Sequence, residues 1–198
     1  MCVCVCVCVC IYVCVCVCVC VCVCTGTIFA ADMRGLAQGA SVVTALKGMC
    51  QSNKDAALIL RDHGATSCTD VTGFGLLGHL VEMAQASKAR VELNLDKVPT
   101  ITGALELVQQ GIFSSLQPAN IRLKRALENE KQSLGHPSYP LIFDPQTSGG
   151  LLASVPAGKA EECVLKLRAK GFPDACVIGA VQADGLDSGS LFCSSASF

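Results

Sequence analysis

The segment 69–75, Thr-Asp-Val-Thr-Gly-Phe-Gly, puts a carboxylate and two hydroxyls at the lip of a glycine turn. The turn continues to Gly78, giving G-x-G-x-x-G (Gly73, Gly75, Gly78) between an expected strand and an expected helix. An acidic residue, Asp96, follows about 20 residues on, which completes the outline of a dinucleotide fingerprint. The residue types argue against that ligand. A dinucleotide-binding first strand is buried on both faces and runs apolar into its first glycine. Here a bare carboxylate would face the pyrophosphate and repel it. A divalent cation between them reverses the sign, because Mg²⁺ is commonly held by one or two carboxylates together with phosphate oxygens. The helix that follows offers N–H groups to the same anion. Asp70 is therefore the candidate metal ligand, with Thr69, Thr72, Gly73 and Gly75 as candidate residues around the phosphates. A purely structural alternative stays open: Asp70 caps the turn, and the glycines only allow strand and helix to pack closely. His79 has no second His or Cys at ligand spacing, and reads as a packing or hydrogen-bonding residue.

A second segment, Phe-Asp-Pro-Gln-Thr-Ser-Gly-Gly over 143–150, could also meet an anion. Asp144-Pro145 favours a turn, and Ser148, Gly149 and Gly150 can form a nest of backbone N–H groups. Ser148 and Gly149 are thus further binding candidates, the alternative being a well-made turn between strands. Ser148 lacks a G-x-S-x-G setting and a base that could be placed beside it, so no residue is assigned a catalytic role.

The elements that must position these segments read as α+β. Helical spacing runs through Val43, Leu46 and Met49. Asn53 stands where an N-cap belongs, before a helix that stops at Gly64. The β-branched stretch 66–72 reads as a strand leading into a helix over 76–86. Residues 90–98 alternate as a half-buried strand. Helices are expected over about 103–110, 121–132 and 156–170, and strands over 141–144, 151–156 and 175–182. Adjacent strands near the end favour helices packed on a mixed or antiparallel sheet over a regular βαβ alternation.

Residues 1–24 stand apart. They alternate Cys and Val, broken by Ile11-Tyr12, and hold 11 of the 16 cysteines and no charged residue. The tract is long enough for a membrane span. It lacks, however, the mixed composition and the Lys or Arg flank of one. It also lacks the basic start and cleavage site of a secretory signal. Cys-Val repeats are what a TG dinucleotide repeat yields on translation, so the tract is expected to be low-complexity sequence without a fold, aggregation-prone if made. Residues 25–198 carry all 15 basic and all 16 acidic residues, interspersed, with a net charge of −1 and no basic stripe, which argues against a nucleic-acid partner. Their five cysteines are far apart and read as small buried residues in a reducing, cytoplasmic setting.

Taken in order, TDVTGFGLLGHLVEMA and FDPQTSGGLLASVP resemble the two signature segments of the C-terminal domain of selenophosphate synthetase (selenide, water dikinase). AADMRGLAQG and MCQSNKDAALILRDHGATSCTDVTGFG resemble the approach to the first, so the likeness spans about 29 to 181. It implies a PurM C-terminal-like domain of the aminoimidazole ribonucleotide synthetase-like superfamily. It also implies chemistry that makes selenophosphate from ATP, selenide and water with Mg²⁺, with Asp70 as a metal ligand facing the ATP phosphates. In that family the nucleophilic Cys or selenocysteine with its Lys, and the other metal aspartates, lie in an N-terminal domain. No such segment is found here, and none of the Cys-Val repeats has the neighbouring Lys or glycines. The chain is therefore expected to need that missing N-terminal domain as a partner for both ATP and Mg²⁺, and to be inactive alone. A non-catalytic phosphate- or partner-binding module and a dinucleotide-binding domain are the alternatives.

Overall fold

Valine alternating with a small residue suits a pleated strand. In the computed structural model, which describes residues 15–19, 23–182 and 189–194, Val15–Val19 forms strand β1. The further strands are β2 (Ser67–Asp70), β3 (Arg90–Asn94), β4 (Leu151–Pro156), β5 (Cys176–Gln182) and β6 (Leu191–Ser194). They form one sheet in the order β2-β4-β1-β5-β3-β6, antiparallel throughout except for the parallel β3–β6 pair. Part of the tract expected to take no fold therefore lies at the centre of the sheet. The reason is pairing: among the described residues β4 and β5 are joined only through β1 and would otherwise each present an open edge. The rest of 1–24, apart from Val23 and Cys24, lies outside the described residues.

Eight helices accompany the sheet among the described residues: α1 (Thr25–Asp32), α2 (Gly39–Cys50), α3 (Lys54–Asp62), α4 (Gly75–Ser87), α5 (Ala104–Gln109), α6 (Gln117–Asn120), α7 (Glu130–Ser133) and α8 (Ala157–Ala169). None is long and apolar enough to cross a membrane. Helices α3 and α8 cover one face through Leu60, Cys163 and Leu167, packed on Ala153 and Val155 of β4. Helices α1, α4 and α5 cover the other through Ile28, Leu76, Leu80 and Leu107, with Leu152 of the same strand turned toward them. Strand β4 is thus buried on both faces, as a mostly apolar strand requires, and its one polar side chain, Ser154, is hydrogen-bonded to the hydroxyls of Thr66 and Ser67. This is the α+β layering that the residue pattern implies.

Three local expectations give way to tertiary contacts. Residues 141–144 are not a strand: Tyr139–Phe143 is a 3-10 turn that starts with Pro140 and buries Leu141, Ile142 and Phe143. The helix expected over 121–132 is instead a 3-10 turn, Ile121–Ala126, that follows directly on α6, and then the separate α7. Between the last two, Glu128 donates its N–H to Leu191 O, and the Asn129 amide bonds both Cys193 O and Cys193 N, closing the outer edge of β6. Helix α2 also turns the other way. Val43 and Leu46 are exposed while Ser41 and Ala45 are buried, because Ser41 Oγ donates to Thr102 O at 2.6 Å and draws the small-residue face inward. Of the cysteines expected inside, Cys50 is exposed. Burial pushes the thiols of Cys68, Cys176 and Cys193 up to about 11, so these three stay protonated and unreactive.

Candidate functional site

The two glycine-rich segments, about 75 residues apart in sequence, are stitched together by backbone. Strand β2 runs antiparallel to β4 with Asp70 opposite Leu151. Past the strand ends, Val71 N–H donates to Gly150 O and Gln146 N–H donates to Thr72 O, both at 2.9 Å. The approach is close enough to need glycine. A Cβ on Gly149 would lie 2.0 Å from Val71 O, and one on Gly75, where φ is +70°, would lie 2.9 Å from Asp144 O. A Cβ on Gly78 would meet the Phe74 side chain at 2.6 Å. Gly75, Gly78 and Gly149 therefore serve packing, and Gly75 and Gly149 are not free to cradle a phosphate through open space. Strand β2 is moreover an edge strand paired antiparallel to β4 alone. A dinucleotide fingerprint needs a parallel βαβ unit at that point.

The 144–147 loop grips the start of α1 as a preformed cap. Asp144 is fully buried; its carboxylate accepts from Thr27 Oγ1 at 2.8 Å and from Thr27 N–H at 3.1 Å. Gln146 Oε1 accepts from the N–H groups of Cys24 and Thr25 and from Thr25 Oγ1. Gly26 N–H donates to Pro145 O, and Thr147 N–H donates back to Thr25 Oγ1. These bonds satisfy the N–H groups that any helix leaves unpaired in its first turn. Burial pushes the Asp144 carboxyl from 3.8 up to about 6, against the pull of the Thr27 and Gly26 donors and of Gln146. A Cβ on Gly26 would lie 2.7 Å from Pro145 O, so this glycine too is set by close approach.

His79, on the first turns of α4, fixes the other side of the turn. Its Nε2 accepts from Thr72 N–H at 3.0 Å, which assigns the ring proton to Nδ1. Nδ1 faces Glu82 at 3.7 Å, beyond hydrogen-bonding distance. Burial lowers the His79 pKa, and the weaker pull of Glu82 and Asp70 in the other direction does not restore it. Because burial lowers the folded pKa, the neutral ring stabilises the fold above 6.5, and that stability is lost as pH falls below 6.5 toward the folded value. Urea unfolding at pH 7.5 and 5.5 is expected to show a larger acid loss in the wild type than in His79→Gln, whose amide oxygen can still accept from Thr72 N–H.

A cleft of about 600 Å³ opens where these parts meet. Thr72, Gly73, Thr147, Ser148, Gly26 and Arg34 line it, with Met33 and Phe113 at an apolar margin. A smaller pocket of about 290 Å³ lies on the other side of the 147–149 wall, with Lys47 and Asp174 among its lining residues. Of the residues singled out in the sequence, Thr72, Gly73 and Ser148 come together in the larger cleft, and Ser148 and Gly149 border the smaller. Thr69 is buried, with Oγ1 donating to Asp70 O, and Gly75 lies beneath the Asp144 carbonyl. Asp70 ends β2, half-buried, outside the lining of both clefts; its charge adds to the rise that burial imposes on the Cys68 thiol and opposes the fall that burial imposes on His79. No group of three or more His, Cys, Asp or Glu side chains that could hold a metal occurs among the described residues. The donor set thus fits a metal only as one arm, Asp70, of a site completed by other donors. Asp96, the acid of the fingerprint outline, bonds His136 Nε2 at 2.9 Å instead. Sequence reasoning missed Gly26, Arg34 and Gln146, and read Asp144 only as part of a turn.

Comparison with known proteins converges on one family. The family model described as AIR synthase related protein, C-terminal domain, matches residues 26–191. A selenide, water dikinase of Caldanaerobacter subterraneus subsp. tengcongensis is 40% identical over 156 residues, covering 70% of this chain and 44% of that protein. Another, of Pelobacter propionicus, is 36% identical over 163 residues, covering 82% of this chain and 47% of its own length. The chain thus spans less than half the length of these curated relatives. Among solved structures, the hydrogenase maturation protein HypE in complex with ATP superposes with a TM-score of 0.65 at 15% identity, covering 90% of this chain and 47% of that one. At that identity the likeness speaks for the fold.

Proposed function

Because this chain belongs to the AIR synthase related protein C-terminal domain family, we propose that it is the C-terminal half of a selenophosphate synthetase. In this reading residues 25–198, with β1 completing their sheet, form the functional domain and supply one wall of a phosphoryl-transfer site for ATP and selenide. The observation that carries it is the joining of the two glycine segments, which brings Thr72, Gly73 and Ser148 to one cleft beside Arg34. Hydroxyls, exposed backbone at Gly73 and a guanidinium are groups that bind phosphate oxygens. Thr69, Gly75 and Gly149 act one step back, by holding that wall in place. Asp70 is one metal ligand of the assembled site, and a Mg²⁺ held there lowers phosphate charge when bound. The remaining ligands and the nucleophile come from an N-terminal half of the kind that the longer relatives possess.

Activity should therefore need both halves. The chain alone is expected to release no AMP from ATP in the presence of selenide. The chain mixed with the N-terminal half of the Caldanaerobacter relative is expected to do so. Asp70→Asn should lower the mixed rate on the order of 100-fold, the scale of a lost metal contact, with an unchanged circular dichroism spectrum. Selenide-dependent turnover by the chain alone would refute the division of labour. A full rate from the Asp70→Asn mixture would remove the metal assignment.

A further inference from the structure

We propose that the place between β4 and β5 is an exchangeable strand slot, able to take a surplus Val-Cys segment from a second copy of this chain in place of its own β1. The slot is defined on both sides. Val15, Val17 and Val19 lie opposite Pro156, Ser154 and Leu152 of β4, and opposite Val181, Gly179 and Cys176 of β5, antiparallel to each. Among the described residues no other strand bridges β4 to β5, so whatever fills the slot completes the sheet.

The resident strand is not unique in sequence. Its five residues, VCVCV, recur at 3–7 and 5–9, separated from β1 by the stretch that contains Ile11-Tyr12. Side chains in a strand repeat every two residues. A repeat of period two therefore offers the same side chains on the same faces after any shift by two. The strand itself cannot specify which copy enters. What favours 15–19 is its tether: Val23 N–H donates to Pro99 O, Ile101 N–H donates to Val23 O, and Cys24 N–H donates to Gln146 Oε1, with residues 20–22 between these anchors and β1. For residues 3–9 of the same chain to enter, residues 10–22 must close a loop, which has an entropic cost. The same segment of another copy enters without that loop, at the cost of association. Segment 3–9 lies outside 15–19, so a chain can give it whether or not its own β1 is seated, and one chain can donate and accept at once. Exchange of this head-to-tail kind need not close, and it extends to open assemblies.

Two C-terminally tagged forms of the full chain, mixed, unfolded and refolded together under reductant, test the slot. Capture on one tag should bring down the other form, and co-refolding should give several-fold more than mixing the folded chains. Val5→Pro with Val7→Pro in both copies, which leaves 15–19 intact, should abolish the capture, as should deletion of residues 2–9. Val17→Pro, which unseats the resident strand, should increase it while Val5 and Val7 remain. Absence of capture from the co-refolded wild type would overturn the proposal, as would capture undiminished by either the double proline variant or the deletion.

Discussion

Asp144→Ala is expected to destabilise the domain by about 3 kcal/mol or more, because it strips a buried cap from α1 and leaves its donors unpaired. Thr27 loses partners for both its N–H and its hydroxyl, at a position with no exposure to water. Each buried donor left without an acceptor costs roughly 1–3 kcal/mol. The loss is partly offset, since the wild-type carboxylate is itself held in a place that disfavours its charge. At about 2–4 °C per kcal/mol for a domain of this size, the midpoint should fall by about 6–12 °C in a thermal melt followed by circular dichroism. The pH dependence gives a second reading. The folded carboxyl titrates at about 6 and the unfolded one at 3.8, so the folded state holds the extra proton between these values. Its contribution to stability is fully present below 3.8 and is lost as pH rises through 6. This slope should vanish in Asp144→Ala. It runs opposite to that of His79, so each is best read as the difference between the wild type and its own variant. A melting midpoint unchanged in Asp144→Ala would show that the cap is dispensable.

Gly149→Ala is expected to be at least as damaging as the loss of Asp144, although it adds a single methyl group. The added carbon would sit 2.0 Å from the Val71 carbonyl oxygen, and both atoms belong to backbone that is fixed by the neighbouring Val71–Gly150 bond. Neither side can yield without breaking the stitch between the two segments. Inserting one methylene into a well-packed core commonly costs 1–3 kcal/mol; a backbone collision of this kind belongs at about 3 kcal/mol or above. Gly73→Ala is the matched control. Nothing lies within 4 Å of its added carbon, and the residue faces the cleft. It should leave the urea midpoint within about 0.5 kcal/mol of the wild type while weakening ATP binding by the two-half mixture. The pair separates a glycine kept for packing from one kept for ligand access. Equal urea midpoints for Gly149→Ala and wild type would contradict the packing account.

Much of this arrangement is legible along the chain, where the signal is local. The strand over 67–70, the glycine turn and the helix beyond it follow from β-branched residues, Gly75 and an apolar stripe that are all close in sequence. The stop at Gly64 (φ +79°) follows in the same way. What escapes is whatever depends on distant partners. Asn53 does stand at the N-cap of α3, yet its side chain reaches Gly149 O instead of capping the helix. Nothing near Asp144 announces that its acceptors serve Thr27, 117 residues away. The break near 127–129 is set by the edge of β6, and a helical pattern of charges gives no warning of it. For the same reason the dinucleotide outline misleads: three glycines at the right spacing look alike whether they admit a ligand or a neighbouring backbone.

The place of β1 in the sheet also has a meaning during synthesis. Of the six described strands a ribosome releases this one first, whereas both neighbours that it joins, β4 and β5, lie beyond residue 150. At elongation rates of about 5–20 residues per second, the wait is on the order of ten seconds. Throughout that interval an uncharged, strand-forming segment waits for the two strands it will later join.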